Sequence, residues 1–206
     1  MADYNDYGYH NDRPTHNLSY QLHDLLSLLH KSQHHNILDL GCGNGYLVNY
    51  LVEQGYNAYG TDASAEGISI ARQKNPDRFF VQDLSSDSLP EQLQNIAFDI
   101  IITTEVIEHL YNPEAFILFC KKQLKKGGEL VVSTPYHGYL KNLVLSIFNK
   151  WDSHMDPLWL GGHIKLWSKK TLSLALSNAG FTVTSFKGNG RWPYLWKSML
   201  IKAKLN

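Results

Sequence analysis

The chain has 206 residues, 43% hydrophobic and 18% charged, which suits one soluble domain with a full core. Its formal net charge of zero argues against free DNA or RNA as a partner, because phosphate binding leaves a basic footprint. No apolar run reaches membrane-span length, no signal peptide precedes the pattern, and two cysteines, Cys42 and Cys120, make no disulfide framework, so a cytoplasmic protein with packed thiols is expected.

Residues 1–16 are rich in Tyr, Asn and Asp without periodicity and read as a flexible tail or a lid. Leu18, Leu22, Leu25, Leu26 and Leu29 mark an amphipathic helix over 17–31, with His30, His34 and His35 as polar residues at its end. Strands and helices then alternate. Strands are predicted at 36–40, 57–61, 79–81, 97–103 and 129–133, and helices at 46–54, 65–74 and 113–124, with a short one after Pro90. Lys125, Lys126, Gly127 and Gly128 close the third long helix, where lysines favour the negative end of the helix dipole. Residues 135–167 break the rhythm, with a helix over 138–149 and an irregular aromatic stretch after it. Ser168 caps a further helix that stops at Gly180, and strands at 181–187 and 195–205 flank a hairpin connection. Lys202 and Lys204 alternate on the last strand and read as a solvated face. The pattern predicts an α/β fold, a mostly parallel doubly wound sheet between two helical layers.

The most informative stretch runs from Asn36 to Leu47. An apolar strand ends at Asp39-Leu40, and Gly41, Gly43 and Gly45 follow at alternate positions before a helix. Such a unit holds a nucleotide or nucleoside beyond the carboxyl ends of parallel strands. The spacing departs from a dinucleotide fingerprint, because Tyr46 takes the place of the third glycine. The carboxylate of Asp39 would repel a phosphate but suits an ammonium or sulfonium group. Asp62 follows Gly41 at the distance expected of an acid that takes ribose hydroxyls. The expected ligand is a nucleoside with a zwitterionic arm.

The ordered set Asp39-Leu40-Gly41-Cys42-Gly43-Asn44-Gly45, Gly60-Thr61-Asp62, Gln82-Asp83-Leu84 and Phe98-Asp99-Ile100-Ile101 resembles the class I methyltransferases that use S-adenosylmethionine. The resemblance covers residues 35–190 and implies a Rossmann-like sheet of about seven strands closed by an antiparallel last strand. It implies that Asp39, Gly41, Cys42 and Gly43 line the methionine end of the cofactor and that Asp62 takes the ribose. Ala63, Asp83 and Leu84 would surround the adenine. Thr103 and Thr104 would lie near the methyl group.

Glu105, Glu108 and His109 have i, i+3, i+4 spacing and share one face if their turn is helical. Two carboxylates and an imidazole suit a divalent metal, Mg2+ or Mn2+. The stretch resembles the metal motif of the ubiquinone-pathway O-methyltransferases and of the small-RNA 2′-O-methyltransferases, where a downstream histidine completes the site; His163 stands in that place. Without a metal, His109 and Glu105 are the candidate catalytic residues, His109 as general base. The aromatic insertion suits a small aromatic, lipid-like or sugar acceptor, and its few basic residues disfavour an RNA groove. The leading expectation is a methyltransferase acting on a small-molecule hydroxyl, as monomer or homodimer. A carbon or nitrogen methyltransferase, a non-catalytic nucleoside-binding subunit and a nicotinamide oxidoreductase are the alternatives.

Overall fold

The computed structural model describes residues 8–84, 86–159 and 161–206; the first seven residues of the expected tail, with Ser85 and Leu160, lie outside the described residues. Seven strands form one sheet: β1 (Asn36–Leu40), β2 (Asn57–Asp62), β3 (Phe79–Val81), β4 (Phe98–Thr104), β5 (Leu124–Pro135), β6 (Phe181–Asn189) and β7 (Ser198–Leu205). Their order is β3-β2-β1-β4-β5-β7-β6. The first five strands pair in parallel, and β7 runs antiparallel to both β5 and β6. The helices are α1 (His16–Leu26), α2 (Tyr46–Glu53), α3 (Ala65–Arg72), α4 (Pro113–Gln123), α5 (Tyr139–Ile147), α6 (Trp151–Met155) and α7 (Lys169–Asn178). This is the Rossmann-like, three-layer architecture that the sequence pattern implies.

Alternation along the central strands divides the core. Leu38 and Leu40 of β1 and Ile101 of β4 join α4 and α7 on one face. Ile37, Ile100 and Ile102 face α1, α2 and α3 on the other. Every central position is buried on one side or the other, which is why these strands are continuously apolar. Ser168 and Thr171 cap α7 reciprocally, and Gly180 ends it with φ near 93°. The topology changes direction between β1 and β4, so their carboxyl ends open a crevice at the switch point. Among the described residues no helix is long and apolar enough to cross a membrane, and both cysteines are buried and unpaired.

Three local expectations need correction. α1 ends at Leu26, short of the expected helix end, because Leu28 and Leu29 leave the helical path to enter the core. His34 is not a polar residue at a helix end but is buried: its Nδ1 accepts from the His30 amide at 3.0 Å. That fixes the proton on Nε2, which donates to Glu129 Oε2 at 2.7 Å. Lys202 is not solvated either. It lies on the α1 face of the sheet, and its Nζ donates to Glu129 Oε2 at 2.7 Å and to the Leu28 carbonyl at 2.9 Å. Lys204 remains exposed, as expected of its position near the strand end. Lys125 lies in β5, past the end of α4, and makes an ion pair with Asp99 at 2.7 Å.

The His34–Glu129–Lys202 network ties the turn after α1 to β5 and β7. Lys202→Met should cost about 3–5 kcal/mol, because it leaves Glu129 largely buried without its cation. Burial holds His34 below the ordinary imidazole value. Burial opposes ionisation of Glu129, but the Lys202 and His34 hydrogen bonds outweigh it and hold that carboxyl below its usual value. Both depressed groups stabilise the fold above their unfolded-state values and lose that contribution as pH falls through the folded ones. Thermal melts should therefore drop from about pH 6.5 downward, and less steeply in Lys202→Met; parallel curves for the two proteins would contradict the network.

Candidate active site

The crevice at the switch point is a cavity of about 610 Å³. Its floor is the turn after β1. Gly41 has φ near 81°, and a Cβ there would stand 2.3 Å from Val106 Cγ2, so only glycine lets the turn pass under the segment after β4. The cavity is lined by Asp39, Gly41, Cys42, Gly43, Asp62, Ala63, Asp83 and Leu84. Residues drawn from three strand ends thus meet around one space.

Two carboxylates dominate this half. Asp62 Oδ2 accepts from the Gly43 amide and Oδ1 from the Ser64 amide, each at 2.8 Å. Burial nevertheless raises its carboxyl above the ordinary value. Asp39 is 1% exposed, and its Oδ1 has no hydrogen-bond partner among the described residues. Burial, with the charge of Asp62 added, pushes Asp39 up to about 8. A buried carboxylate with a bare oxygen is a place for a cation or a donor from a ligand.

A strap that sequence reasoning left undecided crosses this floor. The ring of Tyr9 packs against the bare faces of Gly43 and Gly67 and lines the cavity. Asn44 donates to the carbonyls of Asn11 and Arg13, both at 2.7 Å, and Asp12 pairs with Lys74 at 3.1 Å. Thr15 ends the strap as the cap of α1. Tyr9 and Asn44 were not singled out from sequence; three glycines in a turn predict a visitor but not its identity.

The other half of the cavity gathers Thr104, Glu105, His109, Leu110, Trp159 and His163. Thr103 is not part of the lining: side chains alternate along β4, and the Thr103 side chain is buried where Thr104 reaches the cavity. Glu105 departs from the expected helical face. Its φ is near 56°, and helical structure begins only with a single 3-10 turn, Ile107–His109. The Glu105 carboxylate is taken up by three donors: Gln21 Nε2 at 2.9 Å, Asn17 Nδ2 at 3.0 Å and Ser133 Oγ at 2.7 Å. It therefore links α1 to β5 and is not part of the cluster below, whose residues could hold a metal ion.

That cluster consists of Glu108, His109 and His163, whose ligand atoms all lie within 4.8 Å of one another. Glu108 is fully buried; Oε2 accepts from Thr134 at 3.0 Å, and Oε1 has no hydrogen-bond partner among the described residues. Its backbone carbonyl accepts the amides of Ile164 and Lys165 at 2.9 and 3.0 Å, which folds the insertion back and delivers His163. His109 Nδ1 donates to the Gly161 carbonyl at 2.6 Å, so Nε2 carries the lone pair, 4.0 Å from Glu108 Oε1. A carbonyl behind the ring is the usual support of a metal-binding imidazole. Burial lowers both imidazoles, His163 to about 4, so both are neutral and able to ligate near pH 7. Burial, reinforced by the charge of Glu105, holds Glu108 well above the ordinary carboxyl value. A cation would relieve both effects.

Glu105→Ala orphans three donors, each worth about 1–3 kcal/mol if it stays buried. The expected result is a lower Tm and faster amide exchange in α1; an unchanged Tm with α1 protection intact would contradict the link.

A family model described as a methyltransferase domain matches residues 14–185. The mitochondrial ubiquinone biosynthesis O-methyltransferase of Rattus norvegicus is 32% identical over 157 residues, which is 74% of this chain and 46% of that protein. The ubiquinone biosynthesis O-methyltransferase of Chelativorans sp. (strain BNC1) is 35% identical over 153 residues, 70% of this chain and 57% of that protein. The chain thus spans about half the length of these curated relatives. Among solved structures, an S-adenosylmethionine dependent methyltransferase from Mesorhizobium loti superposes with a TM-score of 0.67 at 19% identity, over 89% of this chain and 97% of that one. Magnesium protoporphyrin IX methyltransferase from Synechocystis PCC 6803, with bound SAH, gives a TM-score of 0.62 at 21% identity over 82% of this chain and 74% of that one. The structural likeness carries the fold, and the family match carries the membership: the chain belongs to the methyltransferase domain family.

Proposed function

We propose that the protein is an S-adenosylmethionine-dependent methyltransferase that transfers the methyl group to a hydroxyl of a small molecule. The observation that carries the cofactor half is the pairing of a cation-seeking carboxylate, Asp39, with a ribose-seeking one, Asp62, across a glycine turn. Asp39 receives the ammonium of the methionine arm, and the backbone at Gly41, Cys42 and Gly43 admits that arm closely. Asp62 takes the ribose hydroxyls. Ala63, Asp83 and Leu84 enclose the adenine, and the Tyr9 strap covers the turn. The cofactor brings the activated methyl group, so the chain's main tasks are alignment and exclusion of water.

The acceptor half rests on the cluster of Glu108, His109 and His163. One carboxylate and two neutral imidazoles fit Mn2+, and Mg2+ less well because imidazole is a softer ligand. The bare, buried Oε1 of Glu108 supports such a site. A divalent ion there would lower the pKa of a hydroxyl bound to it. Glu108 and His163 would fix the ion, and His109, held by the Gly161 carbonyl, would orient it toward the cavity. Trp159 and Tyr111 offer exposed aromatic faces at the cavity wall for a small aromatic acceptor. Ubiquinone-pathway relatives support oxygen as the atom methylated. Formal neutrality of the chain disfavours a nucleic-acid acceptor.

A thermal-shift titration with S-adenosylhomocysteine tests the cofactor half, and its repetition with MnCl2 after chelator treatment tests the other. The nucleoside should raise Tm by several degrees, and manganese should add a further rise that disappears in Glu108→Ala. No nucleoside shift would contradict the methyltransferase reading. A nucleoside shift with no manganese effect would leave His109 as a metal-free general base.

A further inference from the structure

The strap over the glycine turn is fastened by the turn itself. Residues 8–15 form neither helix nor strand, and Gly8, His10, Asn11, Asp12 and Arg13 are exposed. Asn44, buried in the middle of the turn, spends both amide hydrogens on the strap, donating to the carbonyls of Asn11 and Arg13 at 2.7 Å each. Its Oδ1 accepts from the Tyr46 amide at 3.3 Å, which anchors the side chain to the start of α2. The Asp12–Lys74 ion pair is half exposed at both partners and adds little. The Tyr9 ring completes the seat. A Cβ on Gly43 would stand 2.6 Å from the Tyr9 hydroxyl oxygen, and one on Gly67 3.0 Å from Tyr9 Cδ2. The ring thus rests on two bare glycines, one from the turn and one from α3.

Strap and floor bound one space. Tyr9 and Thr15 line the cavity from the strap, and Asp39, Gly41 and Gly43 line it from the floor. A nucleoside arm seated on the floor therefore lies against the strap as well. The neighbouring wall is firmer: Asn17, in the first turn of α1, also lines the cavity, but Glu105 holds it and Gln21 by hydrogen bonds of 3.0 and 2.9 Å. Lifting the strap breaks the two Asn44 hydrogen bonds and an exposed ion pair and unmakes no described strand or helix. Segments of this kind, with exposed backbone and few buried contacts, are the ones that open locally.

We propose that residues 8–15 are a gate over the cofactor half of the cavity and that Asn44 is its latch. The nucleoside enters and leaves while the strap is lifted, and the strap then seats Tyr9 over it. The identity of the visitor rests on the methyltransferase reading; the latch does not. The turn has two tasks under this proposal. Its glycines give the methionine arm access to the backbone, and Asn44 between them holds the cover. Opening of the strap then sets the rate at which the demethylated nucleoside departs.

Stopped-flow binding of S-adenosylhomocysteine to the full chain, followed by intrinsic fluorescence, tests the gate. In the wild-type protein the observed rate should level off at high nucleoside concentration, where strap opening becomes limiting. Asn44→Ala should raise both that plateau and the dissociation rate, by about tenfold. Tyr9→Ala, a change on the strap and outside the core, should raise both as well. Faster dissociation with an unchanged association rate would make Tyr9 a plain contact and overturn the gate, as would rates equal in all three proteins. Chymotrypsin cleavage at the Tyr9–His10 bond reads the strap separately, because the bond is cut from the lifted state. Asn44→Ala should speed this cleavage, and saturating nucleoside should slow it in the wild-type protein. Cleavage indifferent to Asn44→Ala would overturn the latch. An absent nucleoside signal, with cleavage still quickened by Asn44→Ala, would keep the latch and overturn the methyltransferase reading of its visitor.

Discussion

Four buried carboxylates set the terms of this molecule. Asp39, Asp62, Glu105 and Glu108 all lie at or just beyond the carboxyl ends of β1, β2 and β4, and burial raises the carboxyl of each. Asp62 is met by two backbone amides and Glu105 by three side-chain donors. Asp39 and Glu108 each keep one buried oxygen without a hydrogen-bond partner among the described residues. Buried polar atoms are normally satisfied, so these two oxygens are open to a donor or a cation. On the proposed reading one awaits the cofactor's ammonium and the other a divalent ion.

The satisfied carboxylates do structural work that supports the unsatisfied ones. Asp62 ties the glycine turn to the start of α3 through Gly43 and Ser64. Glu105, in a left-handed conformation that costs energy for a non-glycine residue, gathers Asn17 and Gln21 from α1 and Ser133 from β5. α1 is thereby fixed against the cavity, and the strap that precedes it crosses the glycine turn. Far below, at the other end of the same strands, His34, Glu129 and Lys202 fasten the chain that leaves α1. One carboxylate thus holds the first turns of α1, and another fastens the chain just after it.

Much of this was legible in the sequence because strands and glycine turns are local. The run to Asp39 and the three glycines identify strand, turn and ligand chemistry within twelve residues, and Asp62 and Asp83 follow from position at strand ends. Glu105 was not legible in the same way. Its spacing to Glu108 and His109 describes a helix, whereas the chain forms one 3-10 turn after a left-handed residue. Its partners in α1 are 84 and 88 residues away. Lys202 looks solvated by alternation, but in this sheet both faces are covered, so alternation separates two cores rather than core from water. His34 and Tyr9 depend on tertiary contacts with no periodic signal. His163, by contrast, was legible through family resemblance alone; the carbonyl of Glu108 that draws its loop inward leaves no mark in the sequence.

The most direct test of the account is the pH dependence of S-adenosylhomocysteine binding, measured by isothermal titration from pH 6 to 8.5 in buffers of different ionisation heat. Asp39 lies at about 8, so near neutrality it carries a proton that must leave when the ammonium arrives. Affinity should rise with pH, by up to about tenfold per unit, and level off near pH 8, with proton release on binding. Asp39→Asn should abolish the pH dependence and hold affinity low throughout. Affinity that is flat with pH in the wild-type protein, or unchanged by Asp39→Asn, would contradict the claim that a bare buried carboxylate recruits the cofactor.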